Sequence, residues 1–147
     1  MNTYDEPAAP AITMGLRRRS GALMLVDDEP ALLTVGKAIL STLNLRVDTA
    51  SSAEEALDKL AAAHSERRLP DMVLMDLTMP GGMSGLEALE QIRQTYPGLS
   101  VVACSGFFGD GAAELCQHVG FVDMLAKPYT PEALVTVVRR VMVRAND

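Results

Sequence analysis

Five side chains capable of chemistry each follow directly on an apolar run. "LMLVDD" ends in Asp27 and Asp28, "MVLMD" in Asp76, "VVACS" in Ser105 and "MLAK" in Lys127. Three carboxylates that meet in one pocket repel one another, and one takes up a proton unless a counter-charge is present. A hard divalent cation removes that conflict. Magnesium takes oxygen ligands, keeps several waters, and binds through one or two carboxylates with backbone and phosphate oxygens completing the shell. An acidic cup with an ammonium and a hydroxyl aimed into it suits phosphoryl transfer, which needs an in-line nucleophile and positive charge on the equatorial oxygens. Asp76, single and central, is the natural nucleophile and would form an acyl phosphate. Asp27 and Asp28, adjacent on a flanking strand, are suited to hold the metal. Lys127 and Ser105 are suited to the phosphoryl oxygens.

Such a cup requires a fold that gathers separate strand ends, and the pattern of the chain predicts one. "ALMLVD" reads as a buried strand. "EPALLTVGKAILSTLN" reads as a helix with Leu32, Leu33, Val35, Ile39, Leu40 and Leu43 inward and Pro30 in its first turn. "LRVDTA" alternates as a second strand, and "SSAEEALDKLAAAH" opens on a helix-start signature at Ser52. "DMVLMD", "LSVVACS" and "FVDMLAK" read as three further strands. Between them lie a helix "SGLEALEQIRQTY", with Leu86, Leu89 and Ile92 inward, and a short weak helix "DGAAELCQHVG". "TPEALVTVVRRVMVRA" closes the pattern as a helix capped by Thr130 with Pro131 at its first position. Five strands, each followed by a helix, imply a parallel sheet covered on both faces. Right-handed crossovers favour the flavodoxin-like order 2-1-3-4-5, a doubly wound (βα)5 fold with ligands at the carboxyl edge. Residues 1–20 lack periodicity and read as a mobile tail, leaving residues 21–147 as one domain.

Bulk properties narrow the class. The 147 residues are 48% apolar and 22% charged, a globular composition. A net charge of −6 argues against nucleic acid as a direct partner. Cys104 and Cys116 have neither C-x-x-C spacing nor a histidine pair, and read as reduced packing thiols. The apolar run after Arg17, Arg18 and Arg19 is too short for a signal peptide, and no stretch is long enough to span a membrane. A soluble cytoplasmic protein is expected.

"LMLVDDEPALL", "DMVLMDLTMPGGMSGLEAL", "VVACSG" and "MLAKPYTPEAL" resemble a response-regulator receiver domain, across roughly Ala22 to Ala145. The final third is most similar to receivers of hybrid histidine kinases. The resemblance implies that Asp76 accepts phosphate from a histidine kinase or phosphotransfer protein. It implies that Asp28, Asp76 and the backbone carbonyl of Thr78 ligate Mg2+, with Asp27 acting through a metal-bound water. Ser105 and Lys127 would bind phosphoryl oxygens, and the peptide before Pro128 would be cis. A downstream protein would be met through the face of the fourth helix, fifth strand and fifth helix. The protein would be a phosphoacceptor that assists its own phosphorylation and dephosphorylation, not a turnover enzyme, and a monomer or weak dimer.

Two departures stand out. Met124 occupies the place where receivers carry a tyrosine or phenylalanine that swings inward on phosphorylation, so Phe107, Phe108 or Tyr129 would have to substitute. "MPGGMSG" holds an additional glycine, which is expected to loosen the loop beside Asp76. Taken singly, each motif has an ordinary reading: Asp27 and Asp28 could cap a helix, Ser105 could serve a turn, and Lys127 could be a solvated charge. His64 and His118 read as surface residues. Two rival functions are a receiver-shaped binding module that works without phosphate and a haloacid-dehalogenase-type phosphatase. The second has poor support, because the acidic pair precedes the nucleophile and no cap domain follows.

Overall fold

The computed structural model describes residues 21–145. The expected tail, residues 1–20, lies outside the described residues. Five strands and five helices alternate: β1 (Ala22–Val26), α1 (Pro30–Ser41), β2 (Arg46–Ala50), α2 (Ala53–Ser65), β3 (Met72–Asp76), α3 (Gly85–Thr95), β4 (Ser100–Ser105), α4 (Ala112–Val119), β5 (Asp123–Ala126) and α5 (Pro131–Ala145). All strand pairs are parallel, in the order β2-β1-β3-β4-β5. The expected fold class and strand order are therefore observed.

Burial follows strand position. The central strands β1 and β3 are buried throughout and β4 nearly so, whereas the edge strands β2 and β5 expose residues. A strand covered by helices on both faces must be apolar at successive positions, which is why these runs do not alternate in sequence. Their side chains nevertheless divide between two cores with period two. Met24, Val26, Val73, Met75, Val101 and Ala103 meet α2, α3 and α4 on one face. Leu23, Leu25, Met72, Leu74, Val102 and Cys104 meet α1 and α5 on the other.

Local signals set several helix starts. Ser52 Oγ accepts the Glu55 N–H at 3.0 Å, and Thr130 Oγ1 accepts the Ala133 N–H at 3.0 Å. Ser84 and Glu87 form a reciprocal capping box before and within α3. Two inward assignments are corrected. Val35 is 54% exposed, because α1 instead turns Gly36 toward β1, where an added Cβ would lie 2.6 Å from Leu25 Cδ2. Leu86 is 52% exposed, since α3 buries Gly85, Ala88, Leu89 and Ile92, and Leu86 lies off that stripe. Among the described residues no helix is long and apolar enough to cross a membrane. Both cysteines are free and buried, and His64 and His118 are exposed.

Candidate active site

The carboxyl edge of the sheet collects the residues singled out by sequence. Asp76 is the last residue of β3 and Ser105 the last of β4, while Asp27 and Asp28 follow β1 and Lys127 follows β5. Asp76, Asp27 and Ser105 are buried, and Asp28 is exposed. Asp27, Asp28 and Asp76 each offer a carboxylate oxygen within 4.8 Å of the others. Lys127 Nζ lies 2.8 Å from Asp27 Oδ2, 3.3 Å from Asp76 Oδ2 and 3.8 Å from Glu29 Oε1. Asp28, Glu29, Asp76, Ser105 and Lys127, together with Thr78, Gly106 and Phe107, border an open cleft of about 600 Å³.

Local hydrogen bonds fix the reactive groups. The Thr78 N–H donates to Asp76 Oδ1 at 3.0 Å, and the Glu29 N–H donates to Asp27 Oδ1 at 2.9 Å. Asp27 thus closes a turn ahead of α1, whose N-cap Glu29 carries no side-chain cap hydrogen bond, and its other carboxylate oxygen meets Lys127. Burial pushes the Asp76 carboxyl above the usual range. The Thr78 N–H opposes that rise, the Asp27 charge adds to it, and the Lys127 ammonium opposes it. Burial alone would lower Lys127, but the carboxylates of Asp27 and Asp76 outweigh it and hold the ammonium well above its ordinary value.

The Ser105 hydroxyl is engaged locally. Ser105 Oγ donates to the Phe107 carbonyl at 3.0 Å and accepts the Phe107 N–H at 3.2 Å, so its hydroxyl serves the loop after β4. Phe107 itself is 82% exposed at the cleft margin. Met124 is half-buried against the core shared by α2, α3 and α4, where Phe108 also packs. Tyr129 packs into the opposite core, so it does not share Met124's side of the sheet. The peptide between Lys127 and Pro128 is cis, as the resemblance implied.

Gly85 escaped the sequence reading. A Cβ there would stand 2.6 Å from the Asp76 backbone oxygen and 3.1 Å from Leu77 Cα. The first turn of α3 therefore sits directly on the strand end that carries Asp76, a contact open only to glycine. A glycine directly after a helix-capping serine was the available signal.

The donor set suits a hard divalent cation: three carboxylates, two of them buried, all oxygen, with no thiol or imidazole among them. A family model for the response regulator receiver domain matches residues 23–139. The chain belongs to this family. The DNA-binding transcriptional regulator NtrC of Escherichia coli strain K12 is 32% identical over 120 residues, covering 82% of this chain and 24% of that protein. The transcription factor SKN7 of Chaetomium thermophilum is 31% identical over 125 residues, covering 84% of this chain and 16% of that protein. The chain thus spans a quarter or less of the length of these curated relatives. The solved receiver domain of NtrX from Brucella abortus is 30% identical with a TM-score of 0.71, covering 82% of this chain and 98% of that one. A CheY-like receiver from Methanospirillum hungatei, 25% identical, superposes with a TM-score of 0.75 over 86% of this chain and 96% of that one. These relatives support the receiver family in general and not the narrower likeness to hybrid-kinase receivers. Membership also leaves the phosphatase reading without support.

Proposed function

We propose that this receiver is a magnesium-dependent phosphoacceptor in which Asp76 takes a phosphoryl group from a histidine kinase or a histidine phosphotransfer protein. The supporting observation is the Lys127 ammonium standing 2.8 Å and 3.3 Å from the Asp27 and Asp76 carboxylates, with Asp28 within 4.8 Å of both. Asp27, Asp28, Asp76 and the Thr78 carbonyl would hold Mg2+. When bound, the ion would keep Asp76 ionised and balance charge on the phosphoryl oxygens.

The chain's own groups account for the rest of the chemistry. The Thr78 N–H holds the Asp76 carboxylate in one orientation. A carboxylate oxygen of Asp76 attacks phosphorus, and a P–O bond forms as the P–N bond of a phosphohistidine breaks. The bonding pair passes to the imidazole nitrogen, which takes a proton. Lys127 offers its N–H groups to the transferred phosphoryl oxygens. Ser105 donates to the same group once its hydroxyl leaves the Phe107 carbonyl, which couples phosphate uptake to the loop after β4. The coupled motion would reach α4, β5 and α5, where exposed Leu115 on α4, Val122 just before β5 and Val143 on α5 offer contacts for a downstream protein or a weak dimer. Switch and relay shuttle share this chemistry, in the cytoplasm.

Incubation with acetyl phosphate, with and without Mg2+, followed by intact mass measurement tests the reading. The mass of one phosphoryl group should appear only with the metal and vanish in Asp76→Asn, whose circular dichroism should match the wild type. A phosphoryl group still present on Asp76→Asn would remove Asp76 as the acceptor. The rival reading, a module that binds without phosphate, draws on Met124 and on the engaged Ser105 hydroxyl. It is favoured if no adduct forms on the wild type under any metal condition.

A further inference from the structure

The loop between β3 and α3 carries Thr78 and the pair Gly81 and Gly82, and the additional glycine in "MPGGMSG" was expected to leave it loose. The described structure holds it at three points. The Thr78 N–H is bound to Asp76 Oδ1, the Ser84 and Glu87 capping box closes the far end, and between them Glu54 Oε2 accepts the Met83 N–H at 2.8 Å. Glu54 comes from a different part of the chain, the first turn of α2. Its neighbour Glu55 turns back to its own helix start, accepting from Ser51 N and Ser51 Oγ. Two adjacent glutamates thus have separate tasks, one local and one across to the loop beside the phosphoacceptor.

Gly82 is shaped to that contact. A Cβ there would meet Glu54 Oε2 at 2.9 Å and Oε1 at 3.3 Å, with no other group among its nearest neighbours. Gly82, lacking a side chain, admits the carboxylate. Consistent with this, the N–H of Met83 holds the Glu54 carboxyl below its usual range.

From this geometry we infer that Glu54 is a positioning residue for the phosphoacceptor pocket. It acts through Met83 on the backbone of residues 78–82, and so on the Thr78 carbonyl offered to the metal. The inference rests on the reading of Asp76 and Thr78 as metal ligands. Glu54 touches neither phosphate nor metal. Its loss should weaken magnesium binding while leaving the rate at saturating metal nearly unchanged.

Four full-length proteins test this: wild type, Glu54→Ala, Glu54→Gln and Gly82→Ala. Hydrogen exchange of the Met83 amide reads the contact itself, and Mg2+ titration by calorimetry reads its consequence. Acetyl phosphate uptake at varied Mg2+ separates half-saturation from maximal rate. In Glu54→Ala the Met83 amide should exchange about tenfold faster, and half-saturating Mg2+ should rise about threefold to tenfold. Gly82→Ala, which displaces the carboxylate without altering it, should reproduce both changes. Glu54→Gln, which keeps an accepting oxygen, should restore most of the wild-type behaviour. Faster Met83 exchange with unchanged Mg2+ half-saturation would overturn the inference and leave Glu54 a purely structural tether. Wild type that binds no Mg2+ would overturn the functional reading and this inference together. Variants indistinguishable from a wild type that does bind Mg2+ and take phosphate would overturn this inference alone.

Discussion

The two ends of β5 treat aspartate in opposite ways. At its start, Asp123 receives Arg140 at 2.7 Å and 3.1 Å and has Arg144 at 3.9 Å. Burial works to raise that carboxyl, but the hydrogen bond from Arg140, the Met124 N–H and the charges of both arginines together bring it below its usual range. Just past the far end, Lys127 serves two buried carboxylates at once, and burial leaves Asp76 raised. One end is a satisfied ionic staple between strand and helix. The other is a cluster in which negative charge exceeds positive and an oxygen-seeking cation has a place. Charge chemistry concentrates where local pairing is incomplete, because a fully paired carboxylate has little to gain from a ligand.

The comparison can be broken at each end. The largest effect is expected for Lys127→Ala. Without its ammonium, Asp27 and Asp76 are left facing each other, at a cost of about 3 kcal/mol in magnesium-free buffer. A carboxyl raised in the folded state loses stability as pH increases through its folded value, so the deficit should be larger at neutral than at acid pH. Phosphate uptake from acetyl phosphate should fall about a hundredfold at saturating Mg2+. Urea midpoints equal to wild type at both pH values would show that Lys127 does not balance the cluster.

Asp123→Asn comes next. Its arginine partners are half exposed, so the staple should be worth only about 0.5–1 kcal/mol at neutral pH. A depressed carboxyl contributes stability above its unfolded pKa and loses it as pH falls through the folded value, so wild type and variant should converge in acid. Phosphate uptake should be unaltered. A loss of uptake as large as that of Lys127→Ala would erase the distinction between the two ends.

The smallest effect is expected at Tyr129, two residues beyond Lys127, whose buried hydroxyl has no hydrogen-bond partner among the described residues. Burial, with the Asp27 and Asp76 charges adding to it, pushes that hydroxyl up to about 12 against the opposing Lys127. Tyr129→Phe should raise stability by up to about 1 kcal/mol, read as a higher urea midpoint. A lower midpoint would mean that the hydroxyl is satisfied and that the functional end of β5 is less strained in its polar pairing than proposed.

Most of the fold was readable because its buried strands stop at polar residues. A buried parallel strand is an unbroken apolar run, and the first polar residue after it marks the carboxyl edge; Asp27, Asp76 and Lys127 were all found in this way. Helix faces were read less well. Val35 and Leu86 fit an apolar repeat, yet close approach at Gly36 and Gly85 turned their helices so that the glycines lie inward. Small residues carry little hydropathy signal, so a pattern that counts apolar side chains passes over the contacts they permit.

Sequence alone determined the alternation of strand and helix, the strand order and the identity of the charged residues at the sheet edge. These follow from short-range periodicity and from the few crossovers open to a parallel sheet. Tertiary structure decided the assignments that depend on distance between remote segments: Lys127 shared by two carboxylates, Ser105 occupied by its own loop, Asp123 clamped by α5, and Glu54 reaching Met83. A hydrogen bond forms over about 3 Å and is indifferent to separation along the chain, so residue type can nominate its partners but only the packed fold can join them.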